Sequence, residues 1–416
     1  MKRALGVLLV ALAGYGLAQP PVSNVGTLMS YTGALAEYGP AINNGAMLAA
    51  DQLNAAATAV FGGPIINLVA EDAATNPSQG VDRARKLINT DGVVAIVGAL
   101  SSGVTVTVAE SAVIPSEVVM ISPASTSPLV ALLNDDDFVY RTTAADTLQG
   151  VVLAQLARGE IVDGLNYDRA AIIYVNNPYG QGLSEAFAAA FEARGGTITA
   201  SVGHPEEPQP TYAGLLSQLF AGDPEVVIAA TYPGNATVFM QEARDLHGFT
   251  NWMMTDGTKS IDIAEALGAD TVEGLYGTAA GADPEWAGYT TFSADYEAAY
   301  GERPPLPYID TAYDATAVIG LAIAKAIVDG VEVNATSIRD RLREVSNPDG
   351  EVVGVGEFEE AFRLLELGSP INYTGAAGEV DFDDVGDVVT PMEVWSYAGG
   401  DIVTVTVLAA DQIPPQ

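Results

Sequence analysis

What constrains this 416-residue chain most is a repeated alternation of short apolar runs with helix-length segments. Val25–Ser30, Ile65–Ala70, Val93–Val97 and Val118–Ile121 are apolar runs too short for helices. Between them, Ala41–Asn54 carries helical spacing, Pro77 opens a helix to about Asn89, and Gly103–Val113 reads as a third. The rhythm resumes with strands Ala170–Val175, Thr197–Val202 and Val226–Thr231, alternating with helices Pro178–Arg194, Tyr212–Ala221 and Asn235–His247. Apolar strands separated by helices build parallel sheets that are covered on both faces. Two blocks, about 25–140 and 170–280, share this build, so the expectation is an α/β protein of two doubly wound, Rossmann-like lobes. The remainder, about 280–416, must be divided between them. It reads as helix Thr290–Tyr300, a proline-rich break at Arg303–Pro307, helices Thr311–Val328 and Thr336–Val345, and a strand-rich tail from Val380 to Leu408.

Charge then removes whole classes of partner. Lys and Arg number 17 against 53 Asp and Glu, a formal charge of −36. Nucleic acid and anionic membranes both demand a basic surface, so neither is expected. There is no cysteine, which excludes disulfides, thiolate metal sites and a cysteine-linked lipid anchor. No cofactor is expected, and two histidines, His204 and His247, leave little material for a metal centre.

Lys2 and Arg3, the apolar Ala4–Ala13 and the small residues Gly16-Leu17-Ala18 form the pattern of a secretory signal peptide cleaved after Ala18. The apolar stretch is short of the ~20 residues a membrane span needs. Val318–Val328 and Val403–Ala410 are too short as well. The mature chain is expected to be exported, extracytoplasmic and soluble.

Catalytic signatures fail on spacing. Asp256-Gly257-Thr258-Lys259-Ser260 has only the last half of a phosphate loop, and Gly98–Gly103 misplaces its serines for a nucleophile elbow. His247 precedes Gly248 at a helix end, where it faces the helix dipole. His204 lies in His204-Pro205-Glu206-Glu207-Pro208 and reads as a solvent-exposed loop residue. Asp381-Phe382-Asp383-Asp384-Val385-Gly386 begins like a calcium loop but has Met392 where the bidentate glutamate belongs, so it reads as a turn.

Open parallel sheets bind ligands beyond the carboxyl ends of their strands. There this chain offers Ser102, read as the N-cap of the helix to Val113, and the hydroxyl-rich Ser122–Pro128. Asp256 follows Trp252–Met254, and Tyr38, Tyr179, Tyr232 and Tyr308 lie near strand ends or loops. Plain caps, polar turns and surface tyrosines account for each of these singly. Together they describe an aromatic-walled cleft with hydroxyls on one side and a carboxylate on the other, suited to a small zwitterion.

At these residues the chain resembles the periplasmic solute-binding proteins of ABC transporters. The likeness is to the branched-chain amino acid (leucine/isoleucine/valine-binding) family with its type I periplasmic-binding fold. It spans nearly all of residues 24–400. It is carried by Tyr31–Gly39, Glu71-Asp72, Val97-Gly98 with Ser101–Gly103, Ser122–Pro128, Tyr140–Thr142, Asn177–Gly182, Thr255–Gly257 and Ile371–Gly375. The resemblance implies that Ser102 binds a ligand carboxylate and Thr126 both carboxylate and ammonium, with the Ala124 carbonyl also accepting from the ammonium. It places Asp256 as the ammonium's acidic partner, often glutamate in the family, with Tyr179, Tyr232, Tyr38 and Tyr308 around the ligand side chain.

It further implies a non-enzymatic monomer that captures an amino acid and delivers it to a membrane permease. The same fold for a short amide, urea, an aromatic or dicarboxylic acid, or a sensory domain, stays open. The lobes are expected at 23–142 plus about 279–390, and at 143–278 plus about 391–416. Three hinge crossings are expected near Arg141–Ala144, Tyr276–Ala279 and Pro391–Val394.

Overall fold

The computed structural model describes residues 19–347 and 349–414; the expected signal peptide, residues 1–18, lies outside them. The first block forms one parallel sheet. Its strands are β1 (Ser23–Met29), β2 (Ile66–Asp72), β3 (Ala95–Gly98), β4 (Val119–Ser122) and β5 (Val139–Arg141), in the order β2-β1-β3-β4-β5. Val25 aligns with Leu68 on one side and Ala95 on the other. The joining helices are α1 (Tyr38–Phe61), α2 (Pro77–Asn89) and α3 (Ser102–Val108), the last running on through a π turn to Val113. α2 starts at a proline, and the Asn76 side chain accepts from the Gln79 N–H, a capped N-terminus that fixes where the helix begins.

The chain then passes into α4 (Asp146–Ala157), which packs on elements of the second block. These are β6 (Arg169–Val175), α5 (Pro178–Ala193), β7 (Thr197–His204), α6 (Ala213–Leu219), β8 (Val226–Ala230), α7 (Pro233–His247), β9 (Trp252–Met254), α8 (Ile261–Leu267), α9 (Ala269–Val272) and β10 (Tyr276–Ala280). After β10 come α10 (Ala287–Tyr300), α11 (Ile309–Val328), α12 (Ala335–Ser346), β11 (Glu351–Val353), α13 (Phe358–Glu366) and β12 (Ile371–Tyr373). The last strands, β13 (Met392–Ala398) and β14 (Asp401–Leu408), return to the second sheet, whose order is β14-β13-β10-β9-β8-β6-β7. They pair antiparallel there, while the other strands of that sheet run parallel. Tyr276–Ala279 and the Met392–Val394 stretch thus lie on adjoining strands of the second sheet.

Successive strand residues face opposite sides, and both sides are buried. Val25 and Ile172 join a core cluster shared by both sheets, Leu28 belongs to the cluster on the outer face of the first sheet, and Ala171 and Ile173 to that on the second. α11 is long and apolar enough to cross a membrane by length and composition, and 83% of its most apolar window is buried. It packs among α1, α12 and α13, so its all-round apolarity is that of a core helix. A Cβ on Gly45 of α1 would sit 2.1 Å from the Ile309 carbonyl, so only glycine permits this close approach. Asp314 ties α11 to the loop after β12, accepting from Tyr373 Oη at 2.8 Å and from the Ala376 and Ala377 N–H groups at 2.7 and 2.9 Å. Burial raises its carboxyl to about 7.

Two readings of the sequence need correction. His204 is not exposed: it ends β7 and is buried, with Nδ1 2.7 Å from the Pro205 carbonyl and Nε2 2.7 Å from Thr231 Oγ1. Burial holds its pKa below the usual imidazole value. Strand β7 extends two residues past the apolar pattern that marked it, which carries the ring inside. Ser102 is not a cap either: Ser101 takes the N-cap position and Ser102 is the first helical residue. At the Asp381–Gly386 segment, Asp383 Oδ1 accepts from the Val385 and Asp387 N–H groups, a turn stabilised within itself.

Candidate functional site

Strand ends deliver the site. Tyr38 is the first residue of α1, and Tyr179 the second of α5. Tyr232 is the N-cap of α7, and Tyr308 that of α11. Asn177 caps α5 by accepting from the Gly180 N–H at 3.1 Å, and Pro178 stands at its first position. Tyr308 has a φ of 72°, a left-handed conformation that a bulky residue adopts only where its surroundings require it. Asp256 opens a short 3-10 turn held by reciprocal bonds between Thr255 and Thr258.

These residues meet in a cleft between the two sheets. Seven of the eight residues singled out in the sequence line it: Tyr38, Ser102, Ala124, Tyr179, Tyr232, Asp256 and Tyr308. The walls stand close together, leaving a cavity of about 30 Å³ between them. Thr126, the eighth, is buried beside it and is not part of the wall. Leu35, Ile42, Leu100, Ser101 and Gly257 complete the wall. These were not singled out, although Leu35, Ser101 and Gly257 lie inside segments that carry the resemblance.

Asp256 is the electrostatic centre. Its Oδ1 accepts from Tyr179 Oη and Gln149 Nε2, both at 2.8 Å, and its Oδ2 from Tyr308 Oη at 2.7 Å. Burial raises its pKa, and those three donors oppose the rise. Burial also pushes the Tyr38, Tyr179 and Tyr308 phenols well above their ordinary value, so they stay protonated and serve as donors. The Tyr179 and Tyr232 rings stack with centroids 5.8 Å apart and planes 8° from parallel, forming a flat apolar wall. A Cβ on Gly257 would lie 2.5 Å from the Thr231 carbonyl and 2.9 Å from Tyr179 Oη. Glycine there lets the Asp256 turn sit against the tyrosine.

The opposite wall is hydroxylic. Ser102 Oγ accepts from the Ser127 N–H at 3.2 Å. Ser101 Oγ reaches Glu206 Oε1 at 3.5 Å, and Asn177 Nδ2 donates to the same oxygen at 2.9 Å. Gln149 was invisible in the sequence, because it lies mid-turn on a helix far along the chain from Asp256. The chemistry assembled is a buried carboxylate facing paired serines, with tyrosine and aliphatic faces between. Among the described residues there is no acidic or histidine cluster arranged to hold a metal.

Comparison with known proteins agrees with this layout. The family model described as periplasmic binding protein matches residues 23–363. The chemotactic signal transduction system substrate-binding protein BasB of Halobacterium salinarum is 28% identical over 82% of this chain and 81% of its own. The Leu/Ile/Val-binding protein BraC3 of Rhizobium johnstonii is 28% identical over 85% and 92%. Among solved structures, the leucine-binding protein LivK of Thermotoga maritima has a TM-score of 0.77 at 23% identity, covering 94% of this chain and 99% of that one. An R. palustris solute-binding protein in complex with benzoate has a TM-score of 0.71 at 18% identity, covering 94% and 97%. At those identities the structural likeness is one of fold.

Proposed function

The chain belongs to the periplasmic binding protein family, with the type I fold and a resemblance to its branched-chain amino acid members, and on that premise we propose that it captures a small amino acid for an ABC importer. The observation that carries this reading is Asp256 facing Ser101 and Ser102 across one cleft. The carboxylate suits an ammonium and the serine wall a carboxylate. Leu35, Ile42, Leu100 and the stacked Tyr179–Tyr232 pair suit an apolar side chain.

The lobes are read as 23–142 plus about 279–390, and 143–278 plus about 391–416. Contacts made only when they close then include Tyr308 to Asp256, Tyr38 Oη to the Gly257 and Lys259 carbonyls at 3.4 and 3.3 Å, and Ser127 Oγ to the Pro178 carbonyl at 2.9 Å. A ligand touching both walls adds to these and shifts the population toward closure. Charge-assisted hydrogen bonds of roughly 1.5–3 kcal/mol each, three or four of them less ordering costs, reach about −8 kcal/mol, the micromolar range. The closed form would be the one a permease recognises, outside the cytoplasm after signal-peptide removal, with the binding protein acting as a monomer. The likeness to BasB supports a second reading, in which the same closed form reports the amino acid to a chemotaxis partner.

The test is calorimetric titration of refolded residues 19–416, stripped of carried-over ligand, with amino acids, short amides, urea and aromatic acids. Binding of aliphatic amino acids is expected, together with its loss in a folded Asp256→Ala variant. Unchanged affinity in that variant would remove Asp256 from the site. Binding of uncharged amides or acids alone would overturn the amino-acid assignment.

A further inference from the structure

The proline-rich break at Arg303–Pro307 takes no part in the cleft. Its residues wall a separate cavity of about 210 Å³. Proline has no backbone N–H, so Pro304, Pro305 and Pro307 offer that cavity ring methylenes and carbonyls but no backbone donor. The polar lining comes from Tyr289 of α10, Asp310 of α11, Lys259, Glu393 of β13 and Thr404 of β14. Lys259 Nζ donates to Glu393 Oε2, and Thr404 Oγ1 to Glu393 Oε1 at 2.6 Å, so Glu393 holds both.

Asp310 is placed differently. It is 8% exposed, and its carboxylate is hydrogen-bonded only to backbone N–H groups of its own turn, with Oδ1 accepting from Thr311 at 2.9 Å. A carboxylate nine-tenths buried thus lines an open cavity with no hydrogen-bond partner from another element. Lys259 cancels one of the two carboxylate charges there. Arg303 lies near the Tyr289 phenol but is exposed and paired with Glu297. Burial raises the Asp310 carboxyl, while the N–H groups at the start of α11 and Lys259 oppose the rise. An entering cation brings the opposite charge that burial withholds and favours the ionised form. The Tyr289 phenol lies near both carboxylates, and burial keeps it protonated.

Cleft and cavity share two segments. The start of α11 sends Tyr308 to Asp256 and Asp310 to the cavity. The Asp256 turn ends at Lys259, whose N–H donates to the Asp256 carbonyl at 3.1 Å and whose carbonyl accepts from Tyr38 Oη at 3.3 Å. On the lobe division read above, Tyr289, Asp310 and the proline wall belong to one lobe, and Lys259, Glu393 and Thr404 to the other. We propose that this cavity is a second ligand site, which takes a small protonated amine with a short hydrocarbon body, and that its occupant strengthens closure of the cleft. The ammonium sits against Asp310 and Tyr289, and the hydrocarbon against the prolines and Leu306. An occupant touching both lobes favours the closed form, and linkage makes the effect reciprocal. The coupling rests on the amino-acid reading of the cleft; the site itself does not.

Calorimetry of the refolded chain with butylammonium chloride, 1-butanol and sodium butyrate at matched ionic strength reads the site directly. Butylammonium alone should bind, at one site per chain, in wild type and in Asp256→Ala. Asp310→Asn should weaken it roughly tenfold or more. Tyr289→Phe, which keeps the ring and covers the case in which the asparagine variant does not fold, should weaken it about threefold. With butylammonium saturating, the amino acid that wild type binds most tightly should gain roughly fivefold in affinity, a gain lost in Asp310→Asn. Butylammonium binding that is lost in Asp256→Ala but kept in Asp310→Asn belongs to the cleft and overturns the inference. Equal binding of butanol or butyrate, or heats no larger than sodium chloride gives, overturns it as well. Cavity binding that leaves the amino-acid affinity unchanged overturns the coupling. A wild type that binds no amino acid removes the cleft reading, while the direct titration still decides the cavity.

Discussion

Glu37 and Ser260 meet across the cleft, the serine hydroxyl lying 2.8 and 2.7 Å from the two carboxylate oxygens. Glu37 stands just before α1 and Ser260 caps α8, so the contact joins the two sheets' halves of the molecule. Burial raises Glu37 to about 7, Ser260 opposes the rise, and Asp262 on α8 adds to it. Tyr38 and Tyr397 also face this carboxylate and stay neutral. A carboxyl whose pKa rises on closure favours the closed form below its free value and loses that contribution as pH climbs to the raised one. Ligand affinity of wild type relative to Glu37→Gln should therefore be level below about pH 4.5. It should fall between there and about 7. Titrations at several pH values check this, and a pH-independent ratio would show that Glu37 does not titrate with closure.

Gly257 is expected to tolerate no side chain without a cost in binding. The Cβ of Gly257→Ala would overlap the Thr231 carbonyl and Tyr179 Oη, and relieving it must move the turn that holds Asp256 or the tyrosine bonded to it. A loss of roughly 1–3 kcal/mol in binding, of the size typical for overpacking, is expected with the melting temperature changed by only a few degrees. Calorimetry with the best wild-type ligand reads it, and retained affinity would mean that the turn has slack.

Salt should stabilise the fold. Nearly every described Lys and Arg already lies within reach of an acid, as Lys86 does with Glu71 and Asp91, and Arg341 with Asp329. Those local pairs leave most of the −36 charge uncompensated. The repulsion acts over distances that the Debye length, about 30 Å at 0.01 M and 10 Å at 0.1 M, brings within screening. The unliganded protein should melt at a higher temperature in 0.5 M than in 0.01 M sodium chloride. A flat or falling profile would show that the exposed ion pairs outweigh the net charge.

Much of this could be read locally. Val226–Ala230 announces a strand through uninterrupted apolarity and Val25–Met29 through a short, mostly apolar run, and Pro77 and Asn177-Pro178 announce helix starts through their capping chemistry. Tyr179, Tyr232 and Asp256 were legible because loops after parallel strands face the cleft whatever their partners. His204 was misread because its proline-rich neighbours describe the following loop, whereas its own environment is built by Tyr212, Thr231 and Phe239 from other elements. Gln149 and Asp146 carry no local mark. They sit on a helix whose pattern reports only that it is buried.

The sequence by itself determined the alternating α/β elements and the loops in which binding residues stand, because periodicity, caps and turns are interactions between near neighbours along the chain. Only the tertiary structure decided which donors surround Asp256, that Thr126 lies beside the cleft wall, and that Asp146 is buried near Asp256. Those outcomes depend on the packing of α4 against α5 and β10 and on the approach of the two sheets, where burial and Coulomb forces act between residues a hundred positions apart.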